Sequence, residues 1–253
     1  MYDIERQQKI IDILNEKKTI SVNKLSEMLY CSGATTRRDL VRMEQKGLVT
    51  RTFGAVMLNA NSSNRETSFE LREKNSISEK RSLCQKAVDY IKNNSTIFMD
   101  SSTTLLHIVP FLKNFTNLTI ITNGLVIANE IIYQTKHSVI VIGGMVQPNT
   151  NSILGSMALT DLQRFHADLT LISCGGIDSN FGLTESTIDS AEIKKYMVNN
   201  ADMAICLFDS TKAQTRKSFK TCEIEDLDLL ITSKDTDKEF LSLFKDKNIK
   251  IVY

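Results

Sequence analysis

The sequence predicts an α/β protein with a small N-terminal winged helix-turn-helix domain and a larger C-terminal domain built on a mainly parallel sheet. Three observations carry that expectation. Residues 3–45 place apolar side chains at helical spacing between short polar turns. From residue 96 onward, short apolar runs of strand type alternate with longer helical ones, the pattern of strands joined by crossover helices. Between these stretches, residues 59–68, NANSSNRETS, have almost no apolar anchor and read as a linker. The domains expected are therefore 1–58 and 69–253.

With 253 residues, 42% hydrophobic and 24% charged, the chain has enough apolar material for two cores. No run of eighteen apolar residues occurs, and MYDIERQQKI has no apolar signal core, so no membrane association is expected and a cytoplasmic location is. Cys31, Cys84, Cys174, Cys206 and Cys222 are scattered without a C-x-x-C pair and read as reduced, mostly buried thiols; no metal-ligand spacing is visible. The net charge of +1 is uneven: residues 1–56 hold ten Lys or Arg against seven Asp or Glu, and the remainder twenty-one against twenty-three.

In the first domain, Ile4, Ile10, Ile11 and Leu14 give residues 3–15 one apolar helical face. Residues 17–20 read as a connector. Ser21 then caps a second helix with Val22, Leu25 and Leu29 on one side, and Ser32 caps a third over residues 33–45, which stops at Gly47. Two helices joined by a turn of about three residues form the unit whose second helix enters a major groove. Thr36, Leu40 and Met43 fall on that helix's core side, while Thr35, Arg38 and Arg42 share another face flanked by Arg37. Residues 33–38 are placed for base edges and Arg42 for phosphates. Residues 48–53 and 55–58, split by Gly54, read as a hairpin wing carrying Arg51. The competing reading is a small helical domain whose arginines are merely solvated.

These residues resemble the winged-helix N-terminus of the DeoR family of bacterial sugar-operon regulators. The match runs through Glu5, Arg6, Ser32, Thr35, Arg37, Arg38, Asp39, Leu40, Glu44, Gly47, Leu48 and Arg51. Two departures stand out. Thr36 takes the place of the family's aliphatic residue, and Thr52-Phe53-Gly54-Ala55 replaces its His-Gly-Gly-Ala at the wing tip.

In the second domain, residues 77–92 read as a helix leading into the strand 96–99. The stretch IFMDSSTTLLHIVPF follows: a strand end, a turn of Asp100, Ser101, Ser102, Thr103 and Thr104, and a helix over residues 105–112. Such a turn either holds a phosphate on its N–H and hydroxyl groups or simply caps the helix through Ser102 or Thr103. Thr122-Asn123-Gly124, Gly143-Gly144, Gly175-Gly176-Ile177-Asp178 and Asp209-Ser210-Thr211-Lys212 likewise follow apolar runs directly. Ligands of open α/β sheets bind beyond the carboxyl ends of strands, so these clusters form a candidate pocket, although strand-helix turns use such residues anyway.

The resemblance extends here. It implies a sugar-phosphate sensor domain related in fold to ribose-5-phosphate isomerase and glucosamine-6-phosphate deaminase. By that resemblance Asp100, Ser101, Ser102, Thr103, Thr104, Asn123, Gly143, Gly144, Asp178, Lys194, Asp209 and Lys212 line an effector site. The family's turn often contains a Gly, which Ser101-Ser102 lacks, so a backbone needing positive φ would be strained. Asp178 is the one candidate base for an isomerase, but the cluster of acids that chemistry uses is not around it. The function implied is a DNA-binding repressor of a sugar-metabolism operon, released by a phosphorylated sugar, with no catalytic set and no cofactor. The alternative is a sugar-phosphate isomerase or deaminase with a DNA-binding appendage. Implied partners are double-stranded operator DNA, the phosphorylated sugar and a second copy, in a homodimer or homotetramer.

Overall fold

The computed structural model describes residues 3–45, 48–58, 68–244, 247 and 249–253. The expected helix stop at Gly47 and linker positions 59–67 lie outside them. The chain divides into two compact units, Met1–Thr67 and Ser68–Tyr253.

The first unit contains α1 (Asp3–Lys17), β1 (Thr19–Ser21), α2 (Val22–Met28), α3 (Gly33–Gln45), β2 (Val49–Thr52) and β3 (Ala55–Leu58). β1 corrects the reading of a plain connector. It pairs antiparallel with β3, Ile20 opposite Val56, in a sheet of order β1-β3-β2. Three residues give too short a period-two signal to be recognised. Ser21 Oγ accepts from the Lys24 N–H at 3.3 Å and Ser32 Oγ from the Thr35 N–H at 3.2 Å, capping α2 and α3.

Ile10, Leu14, Leu25, Leu40, Met43 and Val56 close the core of this unit. Thr36 is buried with them. Its hydroxyl accepts from Ser26 Oγ at 2.9 Å and donates to the Ser32 carbonyl at 3.3 Å, so a polar group fills an aliphatic seat without being left unpaired. Arg6 forks onto buried Asp39 at 2.6 and 3.1 Å and fastens α1 to α3.

The second unit opens with α4 (Phe69–Lys74), α5 (Ile77–Ala87), β4 (Thr96–Met99), α6 (Thr103–Leu106), α7 (Val109–Leu112), β5 (Thr119–Thr122), α8 (Leu125–Gln134) and β6 (Ser138–Val141). It continues with β7 (Met145–Gln147), β8 (Ser152–Leu154), α9 (Ser156–Leu162), β9 (Leu169–Ile172), β10 (Gly176–Asp178), β11 (Gly182–Glu185) and α10 (Ile188–Asn199). The last elements are β12 (Ala204–Leu207), β13 (Phe219–Cys222), β14 (Leu229–Ile231), α11 (Lys238–Ser242) and β15 (Lys250–Val252).

Seven strands make a wholly parallel sheet of order β15-β14-β12-β9-β4-β5-β6. From β4 the chain winds toward β6, and from β9 it winds toward β15. The direction therefore reverses between β4 and β9, the crevice where sheets of this kind accept ligands. Alternation on β4 serves both faces: Ile97 and Met99 join Leu83, Ala87 and Leu112 in one core, while Phe98 joins Leu162 and Met197 in the other.

Four further features depart from the sequence reading. The helix expected over 105–112 is two four-residue helices, α6 and α7, because Pro110 lacks an N–H and its ring blocks the carbonyl four residues back. The helix expected over 77–92 ends at Ala87 and closes with a 3₁₀ turn, Val88–Tyr90. Two antiparallel additions, β7-β8 and β10-β11-β13, were not foreseen. The strain expected at Ser101-Ser102 is absent too: Ser102 has φ −73, and neither serine is among the described residues with positive φ.

Candidate functional site

In the first unit, α3 presents Arg37, Arg38 and Arg42 to solvent, and Thr36, Asp39, Leu40 and Met43 to the interior. Ser32 caps the helix, and its Oγ lies 2.9 Å from the Thr35 hydroxyl, so both are committed to the helix start. Arg51 is not free for an outside partner. Its Nε and backbone N–H donate to Glu44 at 2.7 and 3.0 Å, and these two bonds hold the Glu44 carboxyl below its usual range.

In the second unit, the polar residues predicted at the strand ends fall into a buried set and a set at the surface. Asp100, fully buried at the end of β4, accepts from the Ser102 N–H at 2.9 Å and, across the crevice, from the Ser173 N–H at 3.0 Å. Lys194 of α10 meets Asp100 at 3.0 Å, also bonds Glu185, and donates to the Ser173 carbonyl at 2.8 Å. Burial alone would lower the Lys194 ammonium, but the Asp100 and Glu185 carboxylates outweigh it and hold the group charged. Asp100 and Lys194 are thus consumed in an internal tie between β4, β9, β11 and α10, and do not face outward as binding groups.

The hydroxyl turn is also partly committed. Ser102 Oγ accepts from the Leu105 N–H at 3.3 Å and caps α6, and Thr104 Oγ1 accepts from Ser173 Oγ at 3.3 Å. A helix of four residues carries little dipole, so the turn's N–H groups are a weak anion seat by themselves. Thr103 Oγ1 accepts at 3.1 Å from Lys80 of α5, a residue the sequence reading missed.

Lys80 is 3% exposed and also donates to the Arg72 carbonyl of α4. Burial brings its ammonium down to about 8, with Asp209 opposing the fall and Lys212 adding to it. Burial and then Lys212 lower Lys217 as well, and Glu185 raises it. Burial, then Lys80 and Arg81, lower His107. Lys212 thus disfavours the charged form of both Lys80 and Lys217, while Asp209 and Glu185 favour it. Lys217 lies over Gly175, where a Cβ would come 3.2 Å from its Cγ and 3.2 Å from Glu185 Oε2. Asp209 bonds the Thr211 N–H at 3.1 Å, and Glu79 of α5 takes the Ser210 N–H at 2.7 Å, which pins the Asp209 loop to the helix carrying Lys80.

Asn123 is 2% exposed, and its Nδ2 donates to the Ile153 carbonyl at 3.3 Å and to Ser101 Oγ at 3.5 Å. Its Oδ1 is buried with no hydrogen-bond donor among the described residues. A carbonyl left so is unfavourable unless something supplies a donor. Three predicted residues are not brought into this group. Gly143 and Gly144 lie exposed before β7, where the Gly143 N–H binds Asp161 at 2.8 Å. Asp178 turns into its own hairpin, accepting from Asn180, Phe181 and Arg216 at 2.9, 2.8 and 3.0 Å. Burial opposes ionisation of Asp178, but Arg216 and the two N–H groups hold its carboxyl low.

A family model described as the DeoR-like helix-turn-helix domain matches residues 6–62, and one described as the DeoR C-terminal sensor domain matches residues 75–234. The chain belongs to the DeoR family. Among curated DeoR-family relatives, the HTH-type transcriptional regulator GolR of Listeria innocua is 33% identical over 99% of this chain and 98% of its own. The HTH-type transcriptional repressor CsqR of Escherichia coli is 29% identical over 98% and 94%. The glycerol-3-phosphate regulon repressor of the same species is 26% identical over 99% of both chains. Solved structures match more distantly. Ribose 5-phosphate isomerase A of Methanocaldococcus jannaschii is 14% identical over 53% of this chain and 52% of its own, at TM-score 0.39. A transcriptional regulator of Streptococcus pneumoniae is 13% identical over 67% and 87%, at 0.41.

As a DeoR-family member the protein is a DNA-binding transcriptional regulator with a sensor domain. Among its described residues no helix is long and apolar enough to cross a membrane, and no group of three His, Cys, Asp or Glu side chains is placed to hold a metal ion.

Proposed function

We propose that the protein is a repressor of a sugar-metabolism operon, that residues 1–58 bind the operator, and that a phosphorylated sugar bound by residues 69–253 releases it. The observation that carries this reading is the buried Lys80 ammonium, which donates to Thr103 of the strand-end turn and has Lys212 as a further cation acting on it. A buried ammonium held by a hydroxyl and a carbonyl, with another lysine acting on it, is stabilised by an anion. The phosphate ester takes that seat, and the buried Asn123 Oδ1 accepts from a sugar hydroxyl. Asp100, Glu185 and Lys194 serve as the tie that holds the strand ends in register, and Asp178 plays no part in binding.

Release follows from what Lys80 holds. Its ammonium donates both to Thr103 and to the Arg72 carbonyl of α4, the first helix after position 67. A phosphate competes for the same ammonium, so the ligand has different affinities for the arrangement in which α4 is held and for the one in which it is released. That difference is the free energy available to shift DNA affinity. Paired half-sites require a homodimer or homotetramer, and exposed Tyr133, Met145 and Met157 support assembly through the sensor unit. Sedimentation of the full chain tests assembly, with a strict monomer at micromolar concentration as the opposing result.

Calorimetry of the full chain against sugar phosphates and the matching free sugars tests the site. Phosphates are expected to bind and free sugars are not, with Lys212→Ala and Thr103→Ala weakening binding by ~1.5–3 kcal/mol and ~0.5–1.5 kcal/mol respectively. Equal binding of free sugars, or intact affinity in both variants, removes the phosphate assignment. Turnover of any of these sugar phosphates would favour the isomerase or deaminase reading instead.

A further inference from the structure

The DeoR-like wing carries a residue that the family pattern does not supply. Phe53 occupies the two-residue loop Phe53-Gly54 that joins β2 to β3, where Thr52 pairs with Ala55, and its side chain is 112% exposed. Gly54 has φ +78, a conformation that closes so tight a hairpin and that other residues rarely adopt. A lone exposed apolar side chain is ordinary on a protein surface. What distinguishes this one is its mount.

The tip is fixed from two sides. The Gly54 carbonyl accepts from the Val22 N–H at 3.0 Å, at the first residue of α2. Two residues back, Arg51 is bonded to Glu44 of α3 through its Nε at 2.7 Å and its backbone N–H at 3.0 Å. Strand alternation puts Val49 and Arg51 on one side of β2. Val49 is buried in the core shared with α3, and Arg51 reaches α3, so the strand that leads to the tip lies against the helix that carries the exposed arginines. The outer end of this strand thus offers an uncharged aromatic plate on a rigid support, next to a helix that offers cations.

We propose that Phe53 is an apolar wedge that enters the DNA minor groove beside the major-groove seat of α3. This rests on the DNA-binding role of the first unit and adds the contact that its wing makes. A phenyl ring has no donor for base edges and no charge for phosphates. It gains by packing against deoxyribose and by partly unstacking a base step, which is cheapest at flexible pyrimidine–purine steps. The wing then contributes to sequence choice through the deformability of the DNA and not through hydrogen bonding.

The test uses the full chain and a duplex selected by the wild-type protein from a random-sequence pool. The chain has no tryptophan, so Phe53→Trp installs a single indole at the wing tip. Saturating duplex is expected to quench that indole and shield it from acrylamide. Phe53→Ala is expected to bind the same duplex roughly tenfold more weakly, with the salt dependence unchanged because no phosphate contact is lost. An indole that stays as accessible as in the free protein overturns the proposal, as does unchanged affinity of the alanine variant. A weaker complex with a flatter salt dependence also overturns it, since the ring would then act by positioning a cation. If the wild-type protein enriches no sequence at all, the DNA-binding assignment of residues 1–58 falls, and the wedge falls with it.

Discussion

In the helix-turn-helix unit the arginines of α3 stand in solvent, whereas in the sensor unit Lys80 and Lys194 are 3% and 8% exposed. The contrast follows from what each charge meets. A solvated guanidinium gives up little hydration until a phosphate arrives, and it then acts over a distance set by ionic strength. A buried ammonium has already lost its water, so its partners decide its role. Lys194 has two carboxylates and is a structural tie. Lys80 has only a carbonyl and a hydroxyl as its hydrogen-bond partners among the described residues, which is why we assign it the anion.

The sharpest way to break this contrast is to remove a buried cation. Lys194→Met leaves Asp100 and Glu185 facing each other without a counter-charge and is expected to destabilise the sensor unit by ~3–5 kcal/mol. Urea denaturation followed by circular dichroism reads this as a lower midpoint for that unit; an unchanged midpoint means that the three groups do not form the tie described. The exposed cations should behave otherwise. Arg38→Ala costs roughly 1–3 kcal/mol on a selected operator with little effect on random DNA. Arg42→Ala weakens both and lowers the salt slope by about 0.9, and equal losses by the two variants would dissolve the distinction between base and phosphate contacts.

A third effect is set by pH. Lys80 titrates near 8, below its ordinary value, so its ammonium is present below that pH and lost above it. Sugar-phosphate affinity is therefore expected to fall as pH rises through 8, by at most about tenfold per unit, with proton uptake on binding. Calorimetry at pH 8 in buffers of different ionisation heat measures that uptake, and Lys80→Gln should abolish it. The smallest expected change comes from Glu44→Gln. It frees Arg51 from its clamp and should strengthen binding to random DNA a few-fold, read by fluorescence anisotropy at low salt.

The two units also differ in how far the sequence alone describes them. Helix caps at Ser21 and Ser32 and the two faces of α3 are legible because they depend on local spacing. The parallel strands are legible because burial on both faces makes them continuous apolar runs, as in LTLI and AICL. β1, β7 and β10 are three residues each and signal nothing by period. The site was half legible. Strand-end turns flag Asp100 and Asn123, but not that Asp100 is tied internally, because Glu185 and Lys194 meet it only through the tertiary fold. Lys80 did leave a trace: it shares the buried stripe of α5 with Leu83, Cys84 and Ala87, and a lysine in an apolar stripe calls for a partner.

The strand order has a consequence in time. β4, β5 and β6 cannot be completed as a sheet until β9, synthesised some seventy residues after β4, inserts beside it, and β15 closes the far edge last. Sheets assembled from such distant segments form slowly and leave strand edges open while they wait. The first unit has no such dependence: its core from Ile10 to Val56 is complete once β3 has been made. During synthesis the helix-turn-helix unit is therefore expected to be folded before the sensor unit is complete. A nascent chain would carry a finished helix-turn-helix core while the seven-stranded sheet still lacks its later strands.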